Sequence, residues 1–217
     1  MPSDEFVIFP PFEAFYIISL LSCTESALIS AEWVSQFLQE YSKTPDSVAP
    51  QPVLNHLQNI ALQGAAISRF FWPSDRKFQK RSQYLRTCFQ IDDGNPLKSR
   101  DLRNRMEHYY EYLDDYFAQQ SMVGRIIPDY VGPEPGKEEV PYHLFRAFFI
   151  NTGRVEILGV RFELQPLVDA IQHLYIILED CESKGSRFPK LNAEQTGCNE
   201  PHDDATVPSR ASAVRGR

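Results

Sequence analysis

A chain of 217 residues and 25.0 kDa can bury a sizeable core in one large domain or two small ones. Its net charge of -7 and pI near 5.3 argue against indiscriminate coating of nucleic acid, and 42% hydrophobic residues are too many for a disordered chain. The longest apolar stretch, Phe15 to Leu21, is short of the roughly 20 residues of a membrane span, and no basic segment precedes it. A cytoplasmic protein with no membrane segment and no signal peptide is therefore expected.

In chain order, helical periodicity covers Glu13 to Glu40, with Ile17, Leu20, Leu21, Ala27, Leu28, Ala31, Val34 and Leu38 three and four apart. Three prolines between Ser42 and Pro52 mark a connection. A second helix is predicted over Val53–Phe71, ending before Trp72-Pro73. A third runs from Ser74 or Asp75 to Cys88, and Asp92 to Pro96 form a turn. The fourth is expected from Lys98 to about Gln120.

Gly124 to Pro141 is rich in glycine and proline and reads as a loop. His143–Ile150 and Arg154–Leu164 flank the turn Asn151-Thr152-Gly153 and predict a β-hairpin, the second strand bulged near Gly159. Pro166 suits the first turn of a fifth helix, Leu167 to about Glu182. The fold class is mainly α: a bundle of about five helices over residues 1–184, with a hairpin at about 143–164 before the last helix. Residues 185–217 turn polar and are expected to be a disordered tail.

Four cysteines, Cys23, Cys88, Cys181 and Cys198, lie far apart, without metal-ligand or redox-pair spacing. None of the ten glycines forms a phosphate-binding loop. No metal and no cofactor is expected. His108, Glu111 and Asp115 share a helix face, but the Glu-x-x-His of di-metal bundles is missing, because position 105 is arginine.

The fourth helix carries the information. Leu102, Met106, Tyr109, Leu113 and Tyr116 form a core-facing stripe, with Asn104, His108, Glu111 and Asp115 opposite. Arg103-Asn104-x-x-x-His108, continued by Tyr109-Tyr110, resembles the Arg-Asn-x-x-x-His signature of HEPN domains, helical bundles often found in RNA-cleaving toxins and defence proteins. The resemblance spans Phe12 to Glu182, and its motif lies between Arg103 and Tyr110. It implies a metal-independent endoribonuclease in which the 2′-hydroxyl attacks the adjacent phosphorus, leaving a cyclic phosphate and a free 5′-hydroxyl. It also implies a homodimer and, for a toxin, an antitoxin or regulatory partner. A non-catalytic interaction module of the same fold, binding RNA or protein, is the alternative.

The residue types suit that chemistry. His108 is the candidate general acid or base, because imidazole titrates near neutrality. Arg103 offers a fixed charge and a planar donor fork to the phosphorane oxygens. Asn104 lies one turn before His108 and could orient the imidazole or hold a phosphate oxygen. Tyr110 could donate to the same phosphate, the resemblance implies a modification site there as a second reading, and Arg100 and Arg105 are candidate contacts to the RNA backbone. On a straight helix Arg103 and His108 stand about 140° and about 7.5 Å apart, which is awkward for one phosphate within one protomer. Two such helices across a two-fold axis would complete the groove. Glu107, four residues after Arg103, competes for its charge.

Charge is uneven. The 37 residues from Arg69 to Arg105 hold ten basic and four acidic residues, whereas the rest of the chain is strongly acidic. That basic segment leads into the motif, where an RNA backbone would lie.

Overall fold

The computed structural model describes residues 6–43, 49–136 and 140–189. Among them are six α-helices and one four-stranded mixed sheet, in the order α1 (Pro10–Tyr41), α2 (Pro50–Phe71), α3 (Gln79–Cys88), α4 (Asp101–Glu107), α5 (Tyr109–Gln119), β1 (Arg125–Gly132), β2 (Tyr142–Phe149), β3 (Arg154–Ile157), β4 (Val160–Glu163) and α6 (Gln165–Ser183). The fold is mainly helical.

Proline starts three of these helices. Pro10-Pro11, Pro50 and Pro166 each occupy a first turn, where a missing N–H has no partner to lose. Helices α1 and α2 therefore begin three residues earlier than periodicity suggested. Ile17, Leu20, Ala27, Val53, Leu57, Ile60, Ile67 and Phe71 are buried where α1, α2 and α6 meet. A polar staple crosses the α1–α2 contact. Asn59 Nδ2 donates to Ser26 O at 3.0 Å and to Ser30 Oγ at 2.9 Å, and His56 stacks on Trp33. Helix α1 is long and apolar enough to cross a membrane by length and composition, and Phe12, Phe15, Ile18 and Ile29 on its outer side are exposed.

Two predicted elements change. The fourth helix is interrupted at His108, which ends α4 and opens α5 at φ -97°, ψ 26°. No glycine or proline marks the break. On either side of it the neighbours differ: α4 packs on α2, while Tyr116 and Phe117 of α5 turn their rings edge-on to Phe145 of β2. The backbone ladder carries across, with His108 N–H on Asn104 O at 2.9 Å and Tyr112 N–H on His108 O at 3.3 Å. The core stripe nonetheless holds, since Leu102 is buried and Met106, Tyr109, Leu113 and Tyr116 pack half-buried against the same core.

The hairpin is part of a larger sheet in the order β1-β2-β3-β4. Residues 125–132, read as loop, form β1, parallel to β2 with Arg125 opposite Tyr142. Pro128 is tolerated there because β1 is an edge strand. At Gly124, φ is +130°, and a Cβ would lie 2.2 Å from Pro141 O, the acceptor of the Arg125 N–H. Only glycine fits that approach.

The predicted bulge near Gly159 is instead a two-residue turn between antiparallel β3 and β4. Leu158 and Gly159 have φ of 48° and 77°, the positive pair that a type I′ turn requires. Leu158 is buried. Holding a leucine left-handed costs about 1–2 kcal/mol, and burying its side chain contributes about 1.5–3 kcal/mol, so burial wins. Leu158→Ala loses the burial and keeps the strain, whereas Leu158→Gly loses both. Glycine should therefore be the milder substitution, by about 1 kcal/mol in urea unfolding. Finding alanine the more stable variant would refute this account of the turn.

Gly185 to Pro189, assigned above to a disordered tail, pack against the start of α1. The buried Glu13 carboxylate accepts from Arg187 Nε at 2.9 Å and from the Phe188 N–H at 2.8 Å. The Phe188 ring is buried beside Tyr16, Tyr84 and Phe89. The rest of the expected tail, 190–217, lies outside the described residues.

Asp93 gathers the turn before α4. It accepts from Trp72 Nε1 at 2.9 Å and Arg86 Nη1 at 2.8 Å, and pairs with Lys98 at 3.2 Å. The indole hydrogen bond, then Lys98, hold its carboxyl below the usual carboxylate range. A lowered folded pKa contributes stability that is present above the unfolded value of about 4 and lost as pH falls through the folded one. The Tm gap between wild type and Asp93→Asn should thus be full at neutral pH and close in acid. A gap independent of pH would contradict it.

Candidate functional site

The motif residues fall into two clusters on either side of the helix break. In the first, Arg103 Nη1 donates to Asn104 Oδ1 at 3.0 Å, and its Nη2 forms an ion pair with Glu107. The Arg103 side chain is only 19% exposed, so the competition anticipated from i, i+4 spacing is realised. In the second cluster, His108 Nδ1 lies 3.4 Å from Glu111 Oε1, and the Tyr110 hydroxyl donates to the same oxygen at 2.8 Å. That bond, followed by His108, lowers the Glu111 carboxyl, and the carboxylate raises the Tyr110 phenol.

Among the described residues no side-chain hydrogen bond or ion pair joins the clusters; their one link is in the backbone, where the His108 N–H donates to Asn104 O at 2.9 Å. Asn104 turns to Arg103 rather than to the imidazole. The His108 side chain is 47% exposed, and its Nε2 has no hydrogen-bond partner among the described residues. His108 sits at the junction of the two helices, its N–H donating to Asn104 O at 2.9 Å and its carbonyl accepting from the Tyr112 N–H at 3.3 Å.

Arg100 and Arg105 are engaged within the fold. Arg100 Nε donates to the buried Ser68 hydroxyl at 3.2 Å, and Nη2 to the Trp72 carbonyl at the end of α2. Burial, then the nearby charges of Arg69 and Arg103, lower its pKa. Arg105 donates to the Ile157 and Leu158 carbonyls at 3.3 and 3.2 Å and lies 4.2 Å from the Tyr112 ring centre. It clamps α4 to the β3–β4 turn.

Buried His143 also has a structural place. Its Nε2 lies 3.2 Å from Val123 O, an acceptor, so the hydrogen belongs on Nε2 and Nδ1 accepts from the Tyr116 hydroxyl at 2.9 Å. Among the described residues no group of three or more His, Cys, Asp or Glu is arranged to hold a metal. A cavity of about 740 Å³ lies between α1 and α6, lined by residues such as Leu28, Val34, Phe148, Leu164 and Val168. It is apart from the motif.

Sequence reading passed over the open cleft at the end of α2, which carries Arg69, Ser74 and Arg81. The signal was the excess of basic residues between Arg69 and Arg105, though no spacing showed which of them share a surface. No protein-family model, curated protein or solved structure matches this chain.

Proposed function

We propose that this chain is an HEPN-like, metal-independent endoribonuclease, with the helix break as its reactive surface. The observation that supports it is an exposed imidazole with a carboxylate beside Nδ1 and an unpartnered Nε2, the arrangement of an oriented acid–base histidine. In the step proposed, the 2′-oxygen forms a bond to phosphorus and its proton passes to a base. The phosphorus–O5′ bond breaks, and O5′ takes up a proton. His108 serves one of these transfers, and Arg103 stabilises the equatorial oxygens once phosphate displaces Glu107. A two-fold homodimer supplies the second set of groups, because among the described residues no side-chain hydrogen bond or ion pair joins the two clusters of one protomer. In a toxin or defence setting, a regulatory protein would bind over this surface.

Purified protein incubated with mixed single-stranded RNA in EDTA should release products ending in 2′,3′-cyclic phosphate, and light scattering should return a dimer. A monomer at working concentration would count against the catalytic reading. The Arg103–Glu107 ion pair favours a second reading, a non-catalytic HEPN-like module for RNA or a protein partner. RNA left intact by wild type would select it.

A further inference from the structure

The end of α2 and the 3-10 turn Arg76–Phe78 border an open cleft of about 370 Å³, lined by Arg69, Phe70, Pro73, Ser74, Phe78 and Arg81. Three of the cations around it have carboxylate partners, whereas exposed Arg76 and Lys80 have none among the described residues. Lys77 pairs with Asp75, and Arg86 and Lys98 pair with Asp93. Asp75 also lines the cleft, and its carboxylate is engaged by Lys77, accepting from both its N–H and its ammonium group. Among the described residues, Arg69 and Arg81 have no such carboxylate.

Arg81 is held in place by aromatic faces. Its guanidinium carbon lies 4.7 Å from the Phe78 ring centre and 5.9 Å from that of Tyr16, and Nη2 reaches Arg69 O at 3.5 Å. Its Nε is buried without a hydrogen-bond partner. A cation fixed this way has given up water without gaining a counter-charge, so an anion entering the cleft recovers that cost. The planar fork of arginine suits the oxygens of a phosphate. On the cleft wall, Ser74 Oγ is also reached by Arg100 Nη1 at 3.5 Å, and Arg103 follows one helical turn later. The cationic surface therefore continues from the cleft to the motif helix.

We infer that this cleft binds a backbone phosphate of single-stranded RNA, between Arg69 and Arg81, on a strand that continues to the Arg103–His108 surface. The phosphate chemistry stands on the cleft alone, and the choice of RNA as its source rests on the function proposed above.

The probe is a labelled 2′-O-methyl RNA of about twelve nucleotides, a length within the usual range of single-strand sites. It lacks the attacking hydroxyl, so binding is read without cleavage, by fluorescence anisotropy in EDTA. The Arg69 side chain is exposed, so Arg69→Glu should keep the wild-type Tm. It should weaken RNA binding roughly tenfold or more and reduce the salt slope by about 0.7 for the lost phosphate contact. Lys43→Glu, at the end of α1, carries the same charge change outside the cleft and should stay within about twofold of wild type.

Equal losses in the two variants, or none in Arg69→Glu, would overturn the site. Inorganic phosphate binding that depends on Arg69, in a protein that does not bind the RNA, would overturn the assignment to RNA. An inactive His108 leaves this measurement untouched, so failure of the cleft and failure of the ribonuclease reading are separable.

Discussion

His108→Ala is expected to lower EDTA-insensitive RNA cleavage by about a hundred- to ten-thousand-fold, the range for loss of a positioned acid or base. The fold should not change with it. The imidazole is 47% exposed and its one contact, to Glu111, is long at 3.4 Å, so the Tm of the variant should match wild type. Arg103→Ala should lose about a hundred- to a thousand-fold, because it withdraws a donor from the phosphorane oxygens. Glu111→Gln separates orientation from proton transfer. It keeps the histidine while removing the carboxylate beside Nδ1, and should lose less than His108→Ala. Cleavage at the wild-type rate in both His108→Ala and Arg103→Ala would remove these roles from the motif.

A chain ending at Lys184 should be less stable than one ending at Pro189 by about 3–5 kcal/mol, the usual cost of deleting a buried phenylalanine ring. Phe188 is 7% exposed and packs with Tyr16, Tyr84 and Phe89. The same cut withdraws Arg187 and the Phe188 N–H from Glu13, which is 4% exposed. A carboxylate left there without its donors adds to the loss in the same direction. Urea midpoints measure the difference, given similar m-values. Coincident midpoints would show that these five residues contribute no core packing.

The part of the fold legible in the sequence is the part set by local pattern. Apolar residues at three- and four-residue spacing located α1, α2 and α6, and Pro166 was legible as a first-turn residue, whereas Pro10 and Pro50 also start helices that periodicity began three residues later. The core stripe from Leu102 to Tyr116 was legible for the same reason. Strand β1 was not. It lies in the glycine- and proline-rich stretch Gly124 to Pro141, which read as loop, and its partner β2 runs parallel to it across a connection of only nine residues, Pro133 to Pro141. Parallel neighbours ordinarily need a longer crossover. Extended, nine residues reach about 30 Å, enough to return along an eight-residue strand. The buried Glu13 was missed because the partners that make its burial tolerable lie 174 and 175 residues away.

The composition that excluded indiscriminate nucleic-acid coating also contained a local excess of positive charge from Arg69 to Arg105. By itself the sequence determined which residue types could carry phosphate chemistry, and that Arg103, Asn104 and His108 would lie on or beside one helix. Tertiary structure decided how they are used. The helix is interrupted at His108, with α4 against α2 and the α5 aromatics against β2. Tertiary packing also ties Arg100 and Arg105 to backbone carbonyls and leaves Arg69 and Arg81 facing an open cleft. Spacing along a chain sets which side chains are neighbours on one element, whereas the charges that face each other across elements depend on how those elements pack.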